Sequence, residues 1–256
     1  MAQIAIERVS KVFETKRKRT FALDETTLTI ADQEIVCIVG PSGCGKTTLL
    51  NLIAGFIAPT SGALMIDDQI ITGPSSQRAV VFQSDAVFPW LSVEDNVSFG
   101  YRMQGRPTAD RVERVDRFLA LVGLTDFAKA YPKELSGGMR KRVDLARAYA
   151  SGPEVLLLDE PFGALDLFTK ETMWLALKKV AAVEPKTIVF VTHDIEEALF
   201  LGDRVVVMTP RPARVHNIVQ VPFGTQRDLS LRAEPQFQAL RVQISNSLRE
   251  VQDDAA

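Results

Sequence analysis

The feature that most restricts the fold of this chain is the glycine-rich segment 40–48, whose pattern is G-x-x-x-x-G-K-T-T. An apolar run at 34–39 precedes it and predicts a strand that is buried on both faces. A helical pattern at 46–54 follows and ends at Gly55. A strand, a loop of this pattern and a helix, in that order, make a phosphate-binding loop. The segment therefore predicts an α/β fold that binds a nucleoside triphosphate.

Each residue type in this loop has a physical role in holding phosphate. Glycines let the backbone fold so that N–H groups point inward, and the N-terminus of the following helix adds positive potential. Lys46 is placed to reach the β- and γ-phosphates, and the Thr47 hydroxyl to bind Mg²⁺. The nucleotide-binding residues predicted here are Gly40, Pro41, Ser42, Gly43, Cys44, Gly45, Lys46, Thr47 and Thr48.

Composition argues against several other classes of protein. The 256 residues include 30 basic and 32 acidic side chains, and the net charge of −2 argues against wholesale nucleic-acid binding but leaves room for a local basic patch. Cys37, Cys44, His193 and His216 form neither a disulfide framework nor a zinc motif, which favours a reducing, cytosolic compartment. We interpret Cys44 as a small loop residue, because no base is paired with it in sequence. No apolar run approaches the roughly 20 residues of a membrane-spanning helix, so a membrane role requires a partner.

The rest of the chain alternates between strand and helix patterns, which predicts a parallel sheet with right-handed crossovers. We expect one domain, 1–256, with a helical subdomain at about 93–150 inserted in the core and a loop-rich C-terminal extension at 211–256. The basic run 16–19 is expected at a hairpin tip. Strands are predicted at 4–9, 27–30, 34–39, 63–66, 79–82, 155–158, 187–191 and 204–208, and helices at 46–54, 112–122, 137–150, 170–183, 195–201 and from Pro235 onward.

A second chemical motif is the apolar strand at 155–158, which ends in the carboxylates of Asp159 and Glu160. The carboxyl edge of a parallel sheet is where ligands of open α/β folds bind. Asp159 is therefore placed to hold Mg²⁺, directly or through water. Glu160 is placed to orient or deprotonate an attacking water. Together with the phosphate loop, these residues predict a nucleoside triphosphatase.

A third motif, Leu-Ser-Gly-Gly-Met at 135–139, lies at the start of a predicted helix. Ser136 is a plausible N-cap and adds a hydroxyl donor, while Gly137 and Gly138 expose backbone N–H groups. These features predict an anion site. Because the chain already contains a complete phosphate loop, this second site suggests action on a nucleotide held by another copy.

The ordered motifs resemble those of the nucleotide-binding subunits of ATP-binding cassette (ABC) transporters. The likeness runs from about residue 4 to residue 210. It implies an α/β P-loop NTPase fold, with a RecA-like core, an N-terminal antiparallel β region and an inserted helical subdomain. The matching segments are the phosphate loop 40–48, Gln83 in 80–83, the family signature 135–139, the strand 155–159 followed by Glu160, the D-loop 164–166 and His193 in 191–194.

The resemblance also implies that ATP is hydrolysed in a head-to-tail dimer. Each ATP would lie between Lys46 of one copy and Ser136 and Gly138 of the other. Asp166 would bridge the two copies. The second copy is expected to be identical, although pairing with a paralogue stays open.

The family's other roles map onto residues near the ATP phosphates and the adenine. By resemblance, Glu160 polarises water and His193 contacts the γ-phosphate. Gln83 senses Mg²⁺ or water, which makes Thr47, Gln83 and Asp159 the expected metal ligands. Adenine stacking is expected of an upstream aromatic residue, with Phe13 as the first candidate and Phe21 as the second.

A finer resemblance points to importers of nitrate, sulfonates, taurine and similar small anions. Many family members have Gln where this chain has Met139, and the segment 135–140 resembles that subgroup. So do 51–56, 88–91 and 227–229. The resemblance implies a separate integral-membrane permease, an extracytoplasmic solute-binding protein and a peripheral position on the cytoplasmic face of the membrane.

Alternatives remain at this point. An exporter or lipid-extraction system would use identical motifs. A non-transport ABC ATPase acting on DNA or ribosomes usually shows coiled-coil insertions or two cassettes, and this chain shows neither. A nucleotide-binding regulator without turnover is disfavoured by Glu160 and His193.

Two segments have an open role at this point. The segment 88–90 either lines a groove for a partner helix or packs locally, and the extension 211–256 is either a regulatory tail or a packed cap.

Overall fold

The computed structural model describes residues 2–16, 18–105 and 107–253, with the backbone alone described for Thr108 and Ala109. It divides into two compact units. The first unit comprises Met1–Ser75 and Lys186–Ala256, and the second comprises Ser76–Pro185. The strands are β1 (Ile4–Glu14), β2 (Arg19–Ile30), β3 (Ile35–Val39), β4 (Ser61–Ile66), β5 (Gln69–Ile70), β6 (Arg78–Val81), β7 (Val155–Asp159), β8 (Thr187–Val191), β9 (Arg204–Met208) and β10 (Val215–Gln220). The helices are α1 (Lys46–Ala54), α2 (Val93–Met103), α3 (Thr108–Leu121), α4 (Gly137–Ala150), α5 (Leu167–Val183), α6 (Ile195–Leu201) and α7 (Pro235–Asp253).

The first unit contains an antiparallel region and parallel strands. Four strands pair antiparallel in the order β2-β1-β4-β5. A second group has the order β10-β9-β3-β8, in which β3 runs parallel to β8 and to β9. Every residue of β3 and β8 is buried, as the continuous apolar runs predict for strands covered on both faces. The predicted parallel sheet and N-terminal antiparallel region are both confirmed.

The strands of the first hairpin are longer than predicted. β1 continues to Glu14 and β2 begins at Arg19, because the two strands stay paired up to the turn, where Glu14 lies opposite Arg19. Thr15 N–H donates to Lys18 O at 2.9 Å across that turn. The basic run therefore lies at a hairpin tip as predicted, apart from Arg17, which is outside the described residues.

The C-terminal extension contains a strand that sequence reasoning missed. The prolines at 210, 212 and 222 suggested loops, yet β10 pairs antiparallel with β9 between them. α7 begins at Pro235 as predicted, and it packs against α6, β9 and β10. Its buried stripe centres on Phe237, Ile244 and Val251. This part of the extension is a packed cap.

The second unit pairs β6 with β7 in parallel and contains the helices α2, α3, α4 and α5. α2 packs on α4 and α3, and α4 packs on α5 and β6. Phe118, Tyr149 and Trp174 are fully buried in this unit. The pattern at 112–122 identified α3, but it gave no separate indication of α2. No helix within the described ranges is both long and apolar enough to cross a bilayer.

Candidate nucleotide-binding site

The phosphate loop follows the carboxyl end of β3 and leads directly into α1. Gly43 and Gly45 have φ angles of 71° and 135°, which favour glycine. A Cβ on Gly45 would lie 2.9 Å from the Ala22 carbonyl oxygen on β2, so a side chain at this position would collide with backbone. Gly45 is also the N-cap of α1 and offers no capping side chain. The loop thus keeps the start of α1 clear for an anion.

Lys46 lies inside this loop with only 5% of its surface exposed. Its Nζ donates to Gly40 O at 2.9 Å and to Pro41 O at 3.1 Å. A buried ammonium held by neutral carbonyls has no anionic partner in these contacts, and a phosphate group would supply one. The side chain is therefore placed to bind phosphate.

Cys44 is buried in the same loop. Burial raises the pKa of its thiol, and the charge of Lys46 opposes that shift only in part. The thiol is therefore a poor nucleophile. This agrees with its interpretation as a small loop residue.

Sequence reasoning missed Arg211, which contacts the phosphate loop from the segment between β9 and β10. Its Nε donates to Gly43 O at 2.8 Å. The signal that would have indicated it is a basic residue just after β9, because β9 runs parallel to β3 and ends at the same sheet edge. Arg211 holds the Gly43 carbonyl in place and adds positive charge beside the loop.

His193 lies at the same sheet edge as the phosphate loop. Ile38 of β3 is level with Val191 of β8, and Thr192 N–H donates to Ile38 O at 3.1 Å. The His193 side chain is exposed just beyond this point. The first unit therefore brings His193 and the phosphate loop to one edge, as the alternating pattern predicts.

The two adenine-stacking candidates lie on the β1–β2 hairpin. Phe13 is opposite Thr20, whereas Phe21 is opposite Val12, so the two rings project from opposite faces. Phe13 is 40% exposed and Phe21 is 49% exposed. Each ring has one cationic side chain near it. Lys11 Nζ is 5.1 Å from the Phe13 centroid, and Arg19 Cζ is 5.1 Å from the Phe21 centroid. Only one of the two rings can therefore face a given ligand.

In the second unit, the predicted glutamine and carboxylates share a sheet edge. Val81 of β6 is level with Leu158 of β7, so Gln83, just past the end of β6, and Asp159, the last residue of β7, lie at the same sheet edge. Glu160 follows with a φ of 44°, a left-handed conformation that is uncommon for a non-glycine residue and occurs at functional positions. Amide and carboxylate oxygens at this edge are ligands that suit Mg²⁺.

The predicted signature begins α4, where Ser136 is the N-cap. Ser136 Oγ accepts a hydrogen bond from Met139 N–H at 3.3 Å, which confirms the predicted cap. Asp166 caps α5 in the same way, accepting from Thr169 N–H at 3.1 Å and from its hydroxyl at 2.6 Å. These hydrogen bonds lower the pKa of Asp166. Gly138 lies against the same Thr169, because a Cβ on Gly138 would lie 2.5 Å from its Cγ2.

Gly138 and Gly137 are therefore expected to respond differently to alanine. Gly138→Ala should lower the free energy of unfolding by about 1–3 kcal/mol, because the methyl group would collide with Thr169. Gly137→Ala is the matched control, since its nearest contact would be 3.7 Å away. Urea denaturation measures both. Equal losses in the two variants would contradict this explanation.

Two basic residues of α4 connect the signature helix to the segment that contains Gln83, and sequence reasoning gave neither of them this role. The buried Lys141 donates through Nζ to Gln83 O at 2.7 Å and to Phe82 O at 3.2 Å. Asp85 pairs with Arg140 at 2.8 Å and with Lys141 at 3.4 Å. Burial acts to raise the pKa of Asp85, but these two partners outweigh it and the pKa is lowered. The backbone at Gln83 is thereby held against α4.

The predicted site residues thus fall into two sets. The first unit contains Phe13, the loop 40–48 and His193. The second unit contains Gln83, Ser136, Gly137, Gly138, Asp159, Glu160 and Asp166. Among the described residues, no group of three His, Cys, Asp or Glu side chains could by itself hold a metal ion. Thr47, Gln83 and Asp159 stay the predicted Mg²⁺ ligands.

The phosphate loop between a buried strand and a helix defines a nucleotide-binding protein of the P-loop class. The sequence profile described as "ABC transporter" matches residues 23–163. The chain belongs to the ABC transporter family, and it is an ATP-binding subunit with transport ATPase activity.

Two relatives and one solved structure illustrate the match. The taurine import ATP-binding protein TauB of Roseobacter denitrificans is 44% identical over 99% of this chain and 97% of its own length. The protein of the same name from Jannaschia is 43% identical over 99% and 97%. A dimeric ATP-binding cassette bound to ADP and Pi in a post-hydrolysis state matches with a TM-score of 0.73 and 30% identity, covering 86% of this chain and all of that chain.

Proposed function

We propose that this chain is the ATPase subunit that powers uptake of a small anion, of the taurine, sulfonate or nitrate type, through a separate permease. The observation that carries this proposal is the near full-length similarity to taurine import ATP-binding proteins. The subunit acts at the cytoplasmic face of the membrane. The permease receives the anion from an extracytoplasmic solute-binding protein. No role for nucleic acid is proposed.

ATP binds between two copies of the chain in this proposal. Lys46 and the phosphate loop of one copy hold the phosphates, and Ser136 and Gly138 of the other copy contact the γ-phosphate. Ser136 is exposed at the N-terminus of α4, where backbone N–H groups and the helix dipole favour an anion. The dimeric state of the similar cassettes supports this arrangement.

Hydrolysis uses the acidic edge of the second unit together with His193. Glu160 orients and deprotonates the attacking water, and His193 contacts the γ-phosphate as negative charge develops. Thr47, Gln83 and Asp159 hold Mg²⁺, which neutralises charge on the phosphates when bound. Lys46 keeps the leaving diphosphate in place. Product release then lets the dimer open.

The permease docks on an apolar groove of the second unit. A cavity of about 370 Å³ is lined by residues that include Phe82, Phe88, Phe99 and Arg147. Phe88 packs on Phe99 with ring centroids 4.6 Å apart, while Trp90 is 71% exposed. An exposed tryptophan beside an apolar groove suits a short amphipathic helix of a membrane partner.

Trp90→Ala therefore tests the docking surface. We expect it to weaken binding of the permease about tenfold or more, while the basal ATPase rate of the isolated subunit stays the same. Phe127→Ala is the control, because Phe127 is another exposed aromatic side chain of the second unit. Binding is measured with detergent-solubilised permease on immobilised subunit. Equal weakening by the two variants would contradict the proposed surface.

The direction of transport is tested in liposomes. The subunit is reconstituted with the permease that co-purifies with it from membranes, and ATP is enclosed on the side of the subunit. Transport that merely exceeds an ATP-free control does not give a direction. The expected result is therefore ATP-driven movement of labelled taurine, sulfonate or nitrate toward the compartment that contains the subunit. Movement away from that compartment would indicate an exporter. Co-purification of ribosomes or DNA-repair proteins without a permease would contradict a transport role.

A further inference from the structure

Helix α6 begins two residues after His193, and hydrogen bonds fix the backbone on both sides of that histidine. The Thr192 hydroxyl donates to the buried Glu197 carboxylate and accepts from Asp194 N–H at 3.0 Å. Asp194 Oδ1 caps the helix by accepting from Glu196 N–H at 3.0 Å and Glu197 N–H at 3.2 Å. Any shift of α6 would therefore move His193.

The C-terminal end of α6 is held by Arg227 of the extension. Its Nη1 donates to the carbonyl oxygens of Leu199, Phe200 and Gly202 at 3.0, 2.9 and 2.9 Å. The other nitrogens donate to Phe223 O and Gly224 O at 2.9 and 2.8 Å. Only 1% of the Arg227 side chain is exposed. One guanidinium thus joins the last turn of α6 to the extension.

The first turn of α6 is held by a second arginine of the same extension. Arg232 Nε donates to Glu196 Oε2 at 2.8 Å. The backbone of Arg232 is held in turn, because Gln238 Nε2 on α7 donates to Arg232 O at 2.6 Å. Both ends of the helix that follows His193 are therefore tied to residues 227–238.

We propose that residues 227–238 set the position of His193 by holding α6, with Arg227 and Arg232 as positioning residues for ATP hydrolysis. The kinetic part of this inference rests on the proposed role of His193. The extension then contributes to ATP hydrolysis, by positioning His193, and also covers part of the core. Arg232 is the better residue to test, because it is half-buried and its loss leaves the Arg227 contacts intact.

The position of His193 is measured directly by NMR. The sequence has two histidines, so a ¹H–¹³C spectrum of histidine-labelled protein contains two imidazole signals, and His216→Gln assigns them. We expect Arg232→Gln and Glu196→Gln each to move or broaden the His193 signal, and the double variant to add nothing further. Arg232→Lys, which keeps the charge, should restore the signal. Arg249→Gln is the control, because Arg249 is an exposed arginine of α7 that lies outside these contacts.

ATPase kinetics give the second readout. Arg232→Gln should lower kcat about three- to fivefold with an unchanged KM for ATP, with recovery in Arg232→Lys. An unmoved His193 signal in Arg232→Gln, or an equal shift in Arg249→Gln, would overturn the proposal. If the signal moves but His193→Ala hydrolyses ATP at the full rate, the positioning stands and the catalytic role of His193 fails.

Discussion

Glu160→Gln is expected to lower the kcat for ATP hydrolysis by about 10²- to 10⁴-fold while ATP binding stays intact. The amide keeps the shape and hydrogen-bonding reach of the carboxylate but accepts no proton from water. The substitution changes only the end of the side chain, so we expect the left-handed backbone at this position to be unaffected. Steady-state ATPase assays give kcat, and titration with a fluorescent ATP analogue gives the affinity.

Glu154→Gln is the matched control for this substitution. Glu154 lies just before β7, at the opposite end of the strand from Glu160, and its carboxylate accepts a hydrogen bond from Gln77. The control should hydrolyse ATP at the wild-type rate. A Glu160→Gln variant with more than about a tenth of the wild-type kcat would mean that another group activates the water.

Arg227→Met is expected to lower the free energy of unfolding by about 3–5 kcal/mol. The substitution keeps most of the side-chain volume but removes every donor from the five carbonyl oxygens that Arg227 holds. The three hydrogen bonds to Leu199, Phe200 and Gly202 are buried, so water cannot easily replace the donor there. Burial also lowers the pKa of this guanidinium, which Asp203 opposes in part.

Denaturation in urea, followed by circular dichroism, measures this loss. Arg241→Met provides the comparison, because Arg241 is exposed and donates to one neighbouring side chain. It should change the free energy of unfolding by less than about 0.5 kcal/mol. A similar small change in Arg227→Met would show that the carbonyl contacts contribute little to the stability of the extension.

The elements that the sequence predicts well are those with strong local patterns. The predicted bounds match the structure for α1, α4, α6, β8 and β9. Each of these strands coincides with a continuous apolar run, and each of these helices with a helical pattern that ends at residues typical of helix ends. β10 was missed because flanking prolines indicate loops, whereas its pairing with β9 is a contact between distant parts of the chain. The first hairpin was underestimated for the same reason, since pairing extends strands beyond their apolar cores.

The site divides in a similar way. Local motifs identified the phosphate loop, the acidic strand end and the capped signature helix. The contacts of the arginines and the lysine that support these motifs were not predicted, because these side chains donate to backbone carbonyls far away in sequence. Lys141 reaches Gln83 O, Arg211 reaches Gly43 O and Arg227 reaches the end of α6. Every residue has a backbone carbonyl, so the sequence does not show which carbonyl a distant side chain will contact. The residues next to these side chains in sequence therefore did not predict the contacts.

The central claim is that ATP is held between the phosphate loop of one copy and the Ser136 signature of another. Light scattering coupled to size exclusion tests it most directly, with the Glu160→Gln variant in ATP and Mg²⁺. The expected result is twice the 28.3 kDa mass of one chain with ATP, and a single-chain mass without it or when Ser136→Arg is added. A single-chain mass at saturating ATP would contradict the claim.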